Sequence, residues 1–160
     1  MTLTNKILYF RFEEDFIEDN LRCIPMIVRM KLDLIGIKLS LKLWSRLNVE
    51  ERSLLAVTPC ATKTEIEEYR NSVIGIIRKD PEEPISTLNI ADNVNWQQSI
   101  NIPVDVKTKC DQFNLDIALY KWQELTTLQR FALIKLSRPG HESKNFEKAL
   151  IEFGLFKKEI

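Results

Sequence analysis

The strongest constraint on this chain is that a stretch of it occurs twice. Ile24-Pro25 returns as Ile102-Pro103, an offset of 78 residues. At the same offset Val28 matches Val106, Lys31 matches Lys109, and Asp33 matches Asp111. Leu41 matches Leu119, Trp44 matches Trp122, Leu47 matches Leu125, Arg52 matches Arg130, and Leu55 matches Leu133. These are ten identities over 32 ungapped positions, where average residue usage gives about two by chance. A repeat of this kind predicts one supersecondary unit built twice, each copy needing a neighbour to cover its apolar face.

Each copy reads as a run of helices. Pro25 and Pro103 suit the first turn of a helix, where a fixed φ and a missing N–H cost nothing. Val28, Leu32 and Ile35 then fall on one face, and Val106, Cys110 and Phe113 repeat the stripe. Gly36 is the stop signal of the first copy and Asn114 that of the second, both tolerant of the left-handed cap conformation. Leu41, Trp44 and Leu47, echoed by Leu119, Trp122 and Leu125, predict a short amphipathic helix. Asn48 with Glu51, and Thr126 with Gln129, have capping-box spacing and open the next helix. The last helix of the first copy is expected to start at Thr64 with Glu67, burying Ile66, Tyr69, Val73 and Ile76 or Ile77. That of the second buries Phe146, Ala149, Leu150 and Phe153.

The fold expected is therefore all-α: a tandem duplication of a multi-helix unit packed as one compact domain over residues 1–160. The repeats span about 24–78 and 102–156. Residues 79–101, with Pro81, Pro84 and several Asn and Asp, read as a connecting loop with little regular structure, pinned by Trp96.

Composition narrows the function. Twenty-three basic residues balance twenty-three acidic ones, so no global field attracts a nucleic-acid backbone or an anionic membrane. Every apolar stretch is interrupted by charge well before the roughly 18 residues of a transmembrane helix. Met1 to Phe16 lacks the charge-then-apolar order of a signal peptide, so the chain is expected in the cytoplasm. Cys23, Cys60 and Cys110 are scattered, with no C-x-x-C. That predicts free thiols, no disulfide frame and no metal site, even with the lone His141 as a fourth ligand. One histidine leaves little for acid–base catalysis near neutral pH, so no catalytic residue and no cofactor is assigned. A Cys–His pair of Cys23 or Cys60 with His141 has nothing in the sequence to bring it together.

Two sets of residues remain as candidates. Arg52 and Arg130 fall in the first turn of a capped helix, where the dipole disfavours a cation. Structural ion pairs with the equally repeated Asp33 and Asp111 are expected. The copies differ most before the final helix. There the second has Ser137-Arg138-Pro139-Gly140-His141-Glu142-Ser143-Lys144-Asn145 against Thr58-Pro59-Cys60-Ala61-Thr62 in the first. Lys135, Arg138, Gly140, His141, Glu142, Lys144 and Asn145 form a basic, donor-rich loop leading into a helix N-terminus, which suits an anion or a partner's carboxylate. The competing view is a helix-start loop with solvated charges. A core duplicated for packing appears in both copies, whereas function is needed only once, and this asymmetry favours the loop. A second surface to consider is Arg22 and Arg29 beside Cys23.

These same residues carry a resemblance. Arg22-Cys23-Ile24-Pro25-Met26, with Val28-Arg29, Lys31-Leu32-Asp33 and Gly36-Ile37-Lys38-Leu39, resembles the opening block of the nitrate reductase-associated proteins. The run Leu128-Gln129-Arg130-Phe131-Ala132-Leu133-Ile134-Lys135-Leu136-Ser137-Arg138-Pro139-Gly140-His141-Glu142 is similar to that family's most distinctive stretch, and Lys144-Asn145-Phe146 and Ala149-Leu150 continue it. The resemblance runs from about Phe10 to Leu155. It implies a small soluble protein of cyanobacterial type, encoded near nitrate reductase and molybdopterin genes. The implied role is a non-enzymatic accessory that supports assimilatory nitrate reductase through protein–protein binding, in its maturation or molybdenum cofactor insertion. The implied partners are the reductase or its cofactor-loading machinery. The alternative is a small-anion or cofactor-binding enzyme using the 137–145 loop. The resemblance implies no catalytic residues.

Overall fold

A computed structural model of the chain describes residues 7–87, 99–138 and 143–158. It is predominantly helical, and two compact units divide it: Glu13–Asn93 with Met1–Tyr9, and Val94–Ile160 with Phe10–Phe12. Among the described residues no helix is long and apolar enough to cross a membrane.

The first unit holds α1 (Glu14–Glu18), α2 (Met26–Ile35), α3 (Leu41–Arg46), α4 (Val49–Val57) and α5 (Lys63–Arg78). α2 packs on α4 and α5 and buries Val28, Leu32 and Ile35, the predicted stripe. Gly36 ends it in the left-handed conformation, φ 70°, its N–H donating to the carbonyls of Asp33 and Leu32. Both members of the Asn48–Glu51 box are formed. The third cap differs from expectation by two residues. Thr62 caps α5, and the Glu65 carboxylate accepts from the N–H groups of Thr62 and Ala61 at 2.9 and 3.2 Å. Those bonds hold the Glu65 carboxyl below the usual carboxylate range. The buried face of α5 is Tyr69, Val73 and Ile77. Within the 79–101 stretch, Ser86–Thr87 (β2) pairs antiparallel with Ile37–Lys38 (β1), Ile37 opposite Thr87. Trp96 lies outside the described residues.

The second unit holds α6 (Val104–Asp111), α7 (Leu119–Glu124), α8 (Thr127–Ser137) and α9 (Ser143–Glu152). α8 packs on α6 and α9 and is buried on nearly every side, through Leu128, Phe131, Ala132, Leu133, Ile134 and Leu136. The Thr126–Gln129 box is formed. α6, α7 and α8 begin at Val104, Leu119 and Thr127, where α2, α3 and α4 begin at Met26, Leu41 and Val49.

Three expectations shift in detail. Pro25 and Pro103 stand at the N-cap, one residue before the helix, in extended conformation. Asn114 is left-handed, φ 52°, but α6 has already ended at Asp111. Trp44 and Trp122 are fully buried, whereas Leu41 is 57% and Leu119 45% exposed. Each leucine is the first residue of its helix, and in the first unit Leu43 takes the inward place.

Candidate functional site

The basic stretch begins where α8 ends. Ser137 is buried, its hydroxyl donating to the Ile134 carbonyl at 2.8 Å. Arg138 follows as an extended, half-buried C-cap residue whose N–H donates to the Lys135 carbonyl. The Lys135 ammonium stands 5.4 Å from the centre of the Phe131 ring one turn earlier. Lys144 is exposed and Asn145 half-buried in the first turn of α9. Neither Arg138 nor Lys144 is ion-paired with a described carboxylate. Gly140, His141 and Glu142 lie outside the described residues.

Arg22 and Arg29 belong to the other unit. Arg22 Nε donates to Asp19 at 2.9 Å, an exposed pair, and its Nη1 lies 3.9 Å from Cys23 Sγ. Arg29 Nε donates to the Ile24 carbonyl at 3.0 Å. Both arginines therefore hold the turn that leads into α2.

The expected ion pairs are not formed. Arg52 does not meet Asp33: its Nε donates to the Trp44 carbonyl at 3.1 Å, Nη2 to Ser45 at 3.0 Å and Nη1 to Asn20 at 2.7 Å. The reason is proximity to a helix end. The last carbonyls of α3 are unpaired acceptors carrying the negative end of its dipole, and the short α3–α4 connection puts Arg52 within reach of them. Arg130 does not pair with Asp111, which is exposed. Its Nη1 donates to the Leu125 carbonyl at 2.5 Å, and burial lowers its pKa.

A buried polar cluster went unread in the sequence. On α2, Lys31 is 8% exposed, and its Nζ donates to the carbonyls of Ala56 and Thr58, each at 2.7 Å. Those acceptors close the C-terminal end of α4, the end a cation favours. The same Nζ lies 5.8 Å from the centre of the Tyr69 ring, and the Tyr69 hydroxyl donates to the Leu55 carbonyl at 2.8 Å. Lys109 repeats the device: it is buried on α6 with its Nζ 5.7 Å from the centre of the Phe146 ring. At the other end of α2, the buried Glu13 carboxylate accepts the Met26 N–H at 2.8 Å. The signal for the lysines was their recurrence on an otherwise apolar stripe.

The sequence profile of the conserved nitrate reductase-associated proteins matches residues 9–153. The chain belongs to that family. No curated protein and no solved structure matches it. The matched span takes in both compact units, so the buried lysines, the arginine-held helix ends and the basic stretch all lie inside the nitrate reductase-associated region.

The thiols of this nitrate reductase-associated protein are poor nucleophiles where they are buried. Burial pushes Cys60 up to about 11, against a smaller downward pull from Lys31 and a further push from Glu65. Burial, then Asp111 and Asp116, pushes Cys110 up to about 11 as well. The thiolate is the reactive form. Of the three, only the half-exposed Cys23 is therefore expected to react with a disulfide reagent in folded protein at mildly alkaline pH. Cys60 and Cys110 should label only after urea is added. Fast labelling of all three in the native state would overturn the assignment. Among the described residues no three His, Cys, Asp or Glu side chains converge to hold a metal ion.

Proposed function

We propose that the protein is a non-catalytic, cytoplasmic accessory that supports nitrate reductase by binding it, or the machinery that loads its molybdenum cofactor. The observation that carries this reading is the family match over residues 9–153. It is supported by the chemistry of the core. Lys31 and Tyr69 are committed to backbone carbonyls, and Cys60 is held as a thiol. We further propose that the two units are copies of one helical unit, since three successive helices of the first, α2, α3 and α4, start 78 residues before α6, α7 and α8 of the second.

The basic stretch 137–145 is the surface we assign to the partner, because Arg138 offers a planar donor fork that no carboxylate among the described residues engages. Arg138→Ala with His141→Ala should leave the melting temperature nearly unchanged, since loop charges contribute little to stability. The double variant should lower nitrate reductase activity in cells and recover less reductase in a pull-down. A stable variant with full activity and recovery would move the binding surface to Arg22 and Arg29. Arg138 and Lys144, without an ion-pair partner among the described residues, also favour a second reading, a small-anion site. Calorimetry with nitrate and phosphate separates the two.

A further inference from the structure

A cleft of about 430 Å³ opens in the second unit, lined by Arg11, Phe12, Lys148, Ile151 and Glu152. Its volume is that of a site for a few side chains. The apolar wall is rigidly built. Phe12 stacks on Phe10 with ring centres 5.3 Å apart and planes within 17°, and Phe10 packs on Phe153 at 5.0 Å. The Phe12 N–H donates to Glu152 Oε1 at 3.4 Å, which ties the chain segment to α9. Ile151 is 43% exposed beside it.

Charge distinguishes this cleft. Arg11 and Lys148 are exposed, and among the described residues neither belongs to an ion pair. The acidic neighbour of Lys148, Glu147, is instead bridged to Lys158 at 3.4 Å. Glu152 is turned to the Phe12 N–H. Two cations with no ion-pair partner among the described residues thus flank exposed apolar surface, with one carboxylate already partnered inside. That pattern suits a segment presenting its own carboxylate next to an apolar side chain. It does not suit a run of phosphates, which Glu152 would repel and which a chain of balanced charge does not attract.

We propose that this cleft docks an acidic-and-apolar segment of a partner protein. For the partner's identity the assignment rests on the accessory reading above. For the chemistry of the segment it rests on the cleft alone. The test uses the full chain, a fluorescent peptide carrying Glu-Leu-Glu-Phe between Ser-Gly flanks, its Lys-Leu-Lys-Phe counterpart, and purified nitrate reductase. The wild-type protein should bind the acidic peptide and not the basic one. Arg11→Glu with Lys148→Glu should weaken peptide and reductase by about tenfold or more, and Ile151→Ser should weaken the peptide with no change of charge. Unchanged far-ultraviolet circular dichroism and melting confirm that the variants are folded. Equal peptide affinity in wild type and double reversal overturns the cleft. So does reductase binding that ignores the reversal, which leaves the accessory reading intact. Peptide binding lost on reversal, with no reductase bound by either protein, keeps the cleft and overturns the reductase as the partner that docks there. A dimer in sedimentation that the reversal abolishes makes a second copy of the chain the occupant, and overturns the partner assignment.

Discussion

Trp44→Ala and Trp122→Ala are each expected to lower stability by about 3–5 kcal/mol, the range for emptying a buried aromatic site. Both rings are fully buried, so the lost transfer energy and the cavity act together. Against a total stability of about 5–15 kcal/mol, either change brings the protein close to unfolding. The two sites part company when the ring is kept. Trp44 Nε1 donates to the Leu21 carbonyl at 2.7 Å, whereas the buried Trp122 Nε1 has no acceptor among the described residues. Phenylalanine at 44 removes a made hydrogen bond. At 122 it removes a donor that was desolvated without return, a penalty of about 1–3 kcal/mol. Trp44→Phe should therefore be the more costly of the two by about 1–2 kcal/mol, read as a lower urea midpoint at unchanged slope. Equal midpoints for the two phenylalanine variants would show that the indole N–H at 44 contributes nothing beyond packing.

The Leu21 carbonyl also shows where sequence reasoning stops. Asn20 and Leu21 both have φ of 55°, a left-handed pair ending in a bulky residue that no local pattern announces. What holds it is long-range: Leu21 is buried, and its carbonyl is used by Trp44, 23 residues away. The family, the helical class and two capping boxes were legible because they depend on residue types at fixed local spacing. The third box was ambiguous for the same reason, since Thr62–Glu65 and Thr64–Glu67 have identical spacing. The second N–H that Glu65 takes from Ala61 is visible only in three dimensions. Arg52 was misread because a carbonyl has no letter in the sequence, so the expectation looked for the nearest repeated carboxylate. β1 and β2 were missed because two residues are too few to show alternation. At the candidate site, Arg138 and Lys144 are legible as charges, but that no described carboxylate pairs with them is not. The cleft at Arg11 and Lys148 joins residues 137 positions apart in the chain, and nothing local links them.

Lys31→Met is expected to cost about 3 kcal/mol, most of it from two abandoned carbonyls. Methionine nearly matches the lysine stem, so packing is kept and the polar term is isolated. The Ala56 and Thr58 carbonyls, each 2.7 Å from Nζ, would lose their donor at the end of α4, with the cation that complements its dipole. Tyr69 would lose the ammonium facing its ring. The pH dependence has a definite sign. Burial lowers the Lys31 pKa below 10.5, so in the interval just beneath that value the unfolded chain binds more protons than the folded one. The Lys31 contribution therefore rises with pH there, and a neutral amine still has two N–H groups for the two carbonyls. Cys60 acts in the opposite sense. Its pKa is raised from 9.0 to about 11, so its contribution is full below pH 9 and is lost as the pH climbs through about 11. Denaturation of Cys60→Ala, with and without Lys31→Met, separates the two groups. The difference between the two variants should change toward pH 10.5 in favour of the protein that keeps Lys31, because the Cys110 contribution, also lost as the pH rises toward about 11, is common to both. If Lys31→Met unfolds at the wild-type midpoint, water replaces the ammonium at no cost, and the buried lysine does not hold the end of α4.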